Sequence, residues 1–242
     1  MPTSSSTHHY RTAAPARSHT SRVVNDLGLS IVSGRQRQGS LLPRDMQLLD
    51  RYGVSRTVLR EAIKTLSAKG LLQAKARIGT RVRDRAHWNL FDPDVLVWHA
   101  KTGFAPEFLA HLGEMRLALE PEAAALAAVR RTDEQLAAIR GWIAKMEGPH
   151  DRDDDFVQAD LGLHLAIADA ADNPFFLSIS TLIEVALVAM LTVSSPVEDP
   201  KRLVASVEEH RRIVDAIAGR DPDAARRAMR IVVQTGIDGT RR

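Results

Sequence analysis

Asp160 and His164 stand four residues apart in the segment QADLGLHLAIADAAD. On a helix both side chains leave the same face, one turn apart. A carboxylate and an imidazole so placed are a workable half of a divalent-metal site. His210, in SVEEHRRIVDAI, lies on a later helical stretch that an antiparallel bundle can bring alongside. Three such ligands could also activate water, as in a metal-dependent enzyme. The plain alternative is a polar pair on a helix and an ordinary core or surface histidine. The enzyme reading finds no obvious general base beside the trio, no nucleophile elbow, no P-loop and no Gly-rich dinucleotide fingerprint.

A second group of residues suits nucleic acid. In SRTVLREAIKTL, Ser55, Arg56 and Thr57 open a helix, and Arg60 shares the face of Arg56. Arginine reads guanine through O6 and N7 or clamps phosphate. Ser and Thr beside free backbone N–H groups at a helix start can hold phosphate. Val58, Leu59, Ala62, Ile63 and Leu66 supply the inward face. Two short segments, Leu71–Ala74 and Thr80–Val82, read as a hairpin whose tip, Arg77-Ile78-Gly79, puts Arg77 and Gly79 within reach of a minor groove or the backbone. The plain use of Arg60 and its neighbours is as surface charge.

The elements that must position these groups follow from periodicity and punctuation. Residues 1–20 are rich in Ser, Thr, Pro and Ala, with a loose pair at His8 and His9, and are expected to be a disordered tail. An apolar stripe of Val23, Leu27, Ile31 and Val32 ends at Gly34; Pro43 opens a short helix through Leu49 that stops at Gly53. With the helix after Ser55 and the hairpin, residues 21–85 spell a winged helix-turn-helix. Residues 86–104 read as a linker with a short helix after Pro93, pinned by Trp88 and Trp98. Residues 105–238 read as an all-helical domain, with helices at 106–130, 133–147, 152–171, 174–193, 201–218 and 222–237. The expected fold is therefore mostly α: a winged helix-turn-helix followed by a bundle of six to seven helices with room for a cavity.

Composition agrees. Net charge is +3, yet residues 21–85 carry 14 Lys and Arg against 5 Asp and Glu, whereas residues 86–242 carry 17 against 25. A basic module can displace counterions from a polyanion that an acidic one would avoid. There is no cysteine, which excludes disulfides, Cys-ligated zinc and thiol chemistry. The first residues lack the apolar core of a signal peptide, and the most apolar run, Pro174 to Val193, carries Ser178, Ser180, Thr181 and Glu184. A cytoplasmic protein without a membrane span is expected.

The run GSLLP…DRYGVSRTVLREAIKTLSAKGLL…IGTRV resembles the GntR-type winged-helix repressors. It departs from them at Met46, where some relatives place an arginine toward DNA, and at the wing tip Arg77-Ile78-Gly79. The segments EMRLALEPEAA, DLGLHLAIADAADNP and EEHRRIVDAIAGRDPDAARRAM resemble the FCD effector domain of the FadR-type branch, over residues 105–232. That resemblance implies a divalent metal held by an Asp and three His. Asp160, His164 and His210 match three positions, and Val232 stands at the fourth. Three ligands with water or an effector oxygen can still hold Zn²⁺.

The resemblance also implies that Arg116 faces the effector cavity, where its fork suits a carboxylate; an i, i+4 pair with Glu120 is its plain alternative. WNLFDPDVLVW together with Val232 is most similar to the galactonate-operon type, which implies a sugar acid such as an aldonate. The expected function is a homodimeric, ligand-responsive repressor that binds a pseudo-palindromic operator in double-stranded DNA. The alternatives are a response to another small carboxylate, a metal-dependent enzyme fused to a DNA-binding module, and a nucleoid protein without a ligand.

Overall fold

The apolar stripe that begins at Val23 forms helix α1, His19–Val32, and Ser18 caps it by accepting the Ser21 N–H at 3.1 Å. A computed structural model describes residues 18–75, 77–149, 153–197 and 199–240. The expected tail, with His8 and His9, thus lies outside the described residues except at its end, where Ser18 starts the helix earlier than the apolar pattern alone indicated.

Helix α2, Asp45–Tyr52, ends at Gly53 in the left-handed conformation (φ 60°). Helix α3, Arg56–Ala68, buries Leu59, Ala62 and Leu66 and packs against α1. Strands β1, Leu72–Lys75, and β2, Gly79–Val82, pair antiparallel, with Gln73 opposite Arg81. The preceding loop adds a third rung. Gly39 N–H donates to Val82 O (2.9 Å), Val82 N–H to Ser40 O (2.9 Å) and Leu42 N–H to Thr80 O (2.8 Å). This pairing sits in a segment that reads as loop, because its hydrogen bonds come from a distant strand rather than from local propensity.

The expected linker divides. A 3₁₀ turn at Arg85–His87 leads to Trp88, which is buried and donates its indole N–H to Arg83 O at 3.0 Å; Asn89 N–H donates to Lys69 O at 2.9 Å. These residues belong to the first of two compact units, which ends at Asn89. Gly70 permits this closure. It has φ +81°, and a Cβ there would stand 2.1 Å from His87 O. Gly70→Ala combines left-handed strain with a backbone clash and is expected to destabilise this unit by at least about 2 kcal/mol. Denaturant unfolding of the full chain measures it, and an unchanged midpoint would refute it.

The second unit, from Leu90, starts with helix α4, Pro93–Lys101, capped by Asp92. Leu96 of α4 packs with Leu112, Leu182 and Ala186, so this segment is part of the bundle and not a tether. Then follow α5 (Pro106–Arg130), α6 (Asp133–Glu147), α7 (Asp153–Ala170), α8 (Pro174–Ser178), α9 (Ser180–Val193), α10 (Pro200–Ala218) and α11 (Pro222–Gly239). Asn173, Asp199 and Asp221 cap α8, α10 and α11, each just ahead of a proline at the first helical position.

The expected helix at 174–193 is broken at Ile179. Ser178 Oγ donates back to Pro174 O at 2.7 Å, and Leu182 N–H bonds Ile179 O three residues back, so the chain tightens there. Among the described residues, 105–238 thus hold seven helices, α5 to α11, within the expected six to seven, and the short helix expected after Pro93 joins them as α4. Ala124, Ala127 and Ala128 of α5 let Ile139, Leu163, Ile213, Ile217 and Val233 approach closely in one core. No helix of the described residues is long and apolar enough to cross a membrane.

Candidate DNA-reading helix and effector cavity

Helix α3 carries the first candidate site. Ser55 Oγ accepts the Val58 N–H at 3.4 Å and caps the helix, leaving the exposed Arg56, Thr57 and Arg60 on its first turns. With Leu59 buried beneath, the three polar side chains stand on the outward face. Arg56 Nη2 lies 3.9 Å from Met46 Sδ of α2, and Met46 is exposed. Arg77 occupies the hairpin tip with φ 63° and Gly79 follows with φ 120°, a conformation that favours glycine. The structure therefore places Ser55, Arg56, Thr57 and Arg60 on one element, and Arg77 and Gly79 at the tip of the wing.

The second candidate site lies within the helical unit. A cavity of about 420 Å³ is lined by Arg116, Asp160, His164, His210 and Arg202, among others. One ligand atom from each of Asp160, His164 and His210 lies within 4.8 Å of the others, and all three residues are buried. Asp160 and His164 share α7, and His210 reaches them from α10. His210 Nε2 is 2.8 Å from Asp160 Oδ1, and His164 Nε2 is 3.9 Å from the same atom. The two rings meet edge to face, with centroids 5.6 Å apart.

The far sides of the rings are held. His210 Nδ1 donates to Ser206 O at 2.7 Å, and His164 Nδ1 donates to Glu120 Oε2. Each Nδ1 therefore carries a proton, so in the neutral ring it is Nε2 that offers the lone pair. Both Nε2 atoms are buried and outside the regular hydrogen bonds, and that of His210 stands in ion-pair contact with Asp160. Buried imidazole nitrogens that converge with a carboxylate, backed by hydrogen bonds on their opposite nitrogens, fit a divalent cation, which would replace the proton between His210 and Asp160.

Electrostatics support the carboxylates. Burial would raise the Asp160 carboxyl, but His210 beside it holds it below the ordinary range. Burial would lower the His210 pKa, yet Asp160 raises it above its ordinary value. Val232, at the position where the family resemblance implies another histidine, is a buried apolar wall of the cavity.

Arg116 also lines the cavity, but it is engaged. Its Nε donates to Glu120 Oε1 at 2.5 Å, its Nη2 to Glu120 Oε2 at 3.3 Å, and its Nη1 faces Met190 Sδ at 3.4 Å. The pair anticipated as the plain alternative is thus present, with both partners only 3% exposed. Burial would raise the Glu120 carboxyl, but Arg116 and His164 hold it down to about 2. Glu120 is the residue that sequence reasoning undervalued. The available signal was a pair of opposite charges set in a stripe of small and apolar residues, Gly113, Ala124 and Ala127, on the same helix face.

Comparison with known proteins places both regions. The family model described as "Bacterial regulatory proteins, gntR family" matches residues 19–82, and that of the FCD domain matches residues 111–235. The chain is 34% identical over 215 residues to the HTH-type transcriptional regulator YieP of Escherichia coli, covering 88% of this chain and 91% of the relative. It is 32% identical over 209 residues to the galactonate operon transcriptional repressor of the same organism, covering 86% and 91%. A solved structure of Lar, which controls the Listeria monocytogenes agr system, covers 94% of this chain and 98% of its own, with a TM-score of 0.65 at 18% identity, a likeness of fold.

Proposed function

Because this chain belongs to the gntR family of bacterial regulatory proteins and carries an FCD domain, we propose that it represses a sugar-acid catabolic operon and releases its operator when an aldonate enters the helical cavity. It is a ligand-responsive transcription regulator, and the enzyme alternative falls on that membership. The observation that carries the finer reading is the buried polar cavity of one unit, set apart in sequence from the exposed arginines of α3 in the other. The galactonate operon repressor among its relatives supports the ligand class.

On this reading two copies form a homodimer in the cytoplasm, and their paired α3 helices enter successive major grooves of a pseudo-palindrome. Ser55, Thr57, Arg77 and Gly79 hold the backbone, while Arg56 and Arg60 read bases. Asp160, His164 and His210 hold a divalent cation such as Zn²⁺, which supplies a fixed positive charge for an effector oxygen. Arg116 orders this end of the cavity through Glu120 and His164. The effector acts only through unequal affinity for the operator-competent and operator-released states.

Gel shift and calorimetry on the full chain test this together. D-Galactonate is expected to weaken operator binding by about 5- to 150-fold, and neutral D-galactose to leave it unchanged. Arg60→Ala is expected to abolish operator binding while galactonate binding persists. Equal loss of both activities would refute the division of labour, and a complex indifferent to the acid would refute the sugar-acid reading.

A further inference from the structure

The cavity holds a second guanidinium, and we propose that Arg202, rather than Arg116, receives the carboxylate of the effector. This rests on the reading of the cavity as an effector site. Arg116 is poorly placed to take a new anion. Two of its nitrogens are spent on both oxygens of Glu120 and a third faces Met190, in a pair that is almost fully buried. An incoming carboxylate would have to displace Glu120 or sit against its negative charge, and unmaking a buried charged pair leaves a charge uncompensated.

Arg202 has the opposite character. It lies in the first turn of α10, where Asp199 caps the backbone by accepting the Lys201 and Arg202 N–H groups at 2.9 and 3.4 Å. Its side chain is exposed and also lines the cavity, so it stands where solvent and cavity meet. Among the described residues its guanidinium donates to neutral oxygens: Nη2 to Ser194 Oγ at 2.9 Å and Ser194 O at 3.4 Å, and Nη1 to Ser195 O at 3.4 Å. Two of these three contacts are at the long end of the hydrogen-bond range. Exchanging them for a carboxylate replaces weak neutral bonds with charge-assisted, bidentate ones.

The lack of a side chain at Gly239 lets α11 close on this spot without displacing Ser194 or Arg202. Gly239 of α11 lies against the same spot, and a Cβ there would stand 2.8 Å from Ser194 Oγ and 3.8 Å from Arg202 Nη2. Glu209 and Asp238 also line the cavity. Asp238 already accepts from Gln234 Nε2 at 3.0 Å, and both carboxylates suit hydroxyl donors. The chemistry points to a polyhydroxy monocarboxylate, with its acid end on Arg202 and its hydroxyls directed at the carboxylates and the buried trio.

Calorimetry of the full-length protein with D-galactonate, and with D-galactose as the neutral control, tests the assignment. Arg202→Gln is expected to weaken galactonate binding by about 10- to 100-fold, the worth of a charge-assisted hydrogen-bonded contact, with operator binding retained. Arg202→Lys keeps the charge but not the fork and is expected to recover part of that loss. Ser194→Ala deletes one neutral acceptor and leaves the guanidinium, and is expected to bind galactonate within about threefold of the parent.

Galactonate binding by Arg202→Gln equal to that of the parent would overturn the proposal. So would an equal loss in Ser194→Ala, which would reduce Arg202 to a tether for the 194–195 segment. If the parent itself ignores galactonate, the effector reading falls and the assignment of Arg202 falls with it, an outcome distinct from both.

Discussion

Arg116→Met is expected to destabilise the helical unit by about 3–5 kcal/mol, the loss associated with removing one partner of a buried ion pair. Arg116 and Glu120 are each 3% exposed, and Glu120 holds both the Arg116 fork and His164 Nδ1. Without the guanidinium, Glu120 must stay charged in an apolar stripe or take up a proton and loosen its hold on His164. Methionine fills much of the same volume beside Met190, so packing alone predicts a small effect and charge predicts a large one. The double variant Arg116→Met/Glu120→Leu removes the uncompensated charge and is expected to regain most of the loss. Denaturant unfolding of the three proteins decides: a mild single variant, or a double variant as unstable as the single, would refute this account.

Zinc is expected to stabilise the protein by about 4 kcal/mol when free metal exceeds the dissociation constant a thousandfold. The stabilisation should be read as a melting shift of the chelator-treated protein on re-addition of Zn²⁺, alongside bound metal measured directly. His210→Ala removes one of the two buried Nε2 acceptors and is expected to abolish the shift. Glu120→Gln leaves the three candidate ligands in place but weakens the carboxylate that orients His164, and is expected to lower metal affinity by about 10- to 100-fold, as for other outer partners of ligating histidines. A parent protein that neither retains nor is stabilised by metal would refute the metal assignment. A normal affinity in Glu120→Gln would refute only the positioning role of Glu120.

Much of this protein is written locally. Gly53 and Gly70 stop α2 and α3, and Pro106, Pro174, Pro200 and Pro222 open helices, because these residues restrict or free the backbone wherever they stand. The outward face of Arg56, Thr57 and Arg60, and the shared face of Asp160 and His164, follow from helical period alone. What the tertiary structure decided is everything that joins separate elements. The meeting of His210 with Asp160 requires α10 to pack within the same bundle as α7. The orientation of His164 depends on Glu120, forty-four residues away on α5, and the pairing of Arg116 with Glu120 becomes significant only once both are buried. The third rung of the wing, the docking of Trp88 in the first unit and the inclusion of α4 in the second likewise rest on hydrogen bonds and apolar contacts made at a distance. Periodicity reports which way a side chain leaves its own helix. Only the packing of other helices against it determines whether that side chain meets water, a carboxylate or an effector.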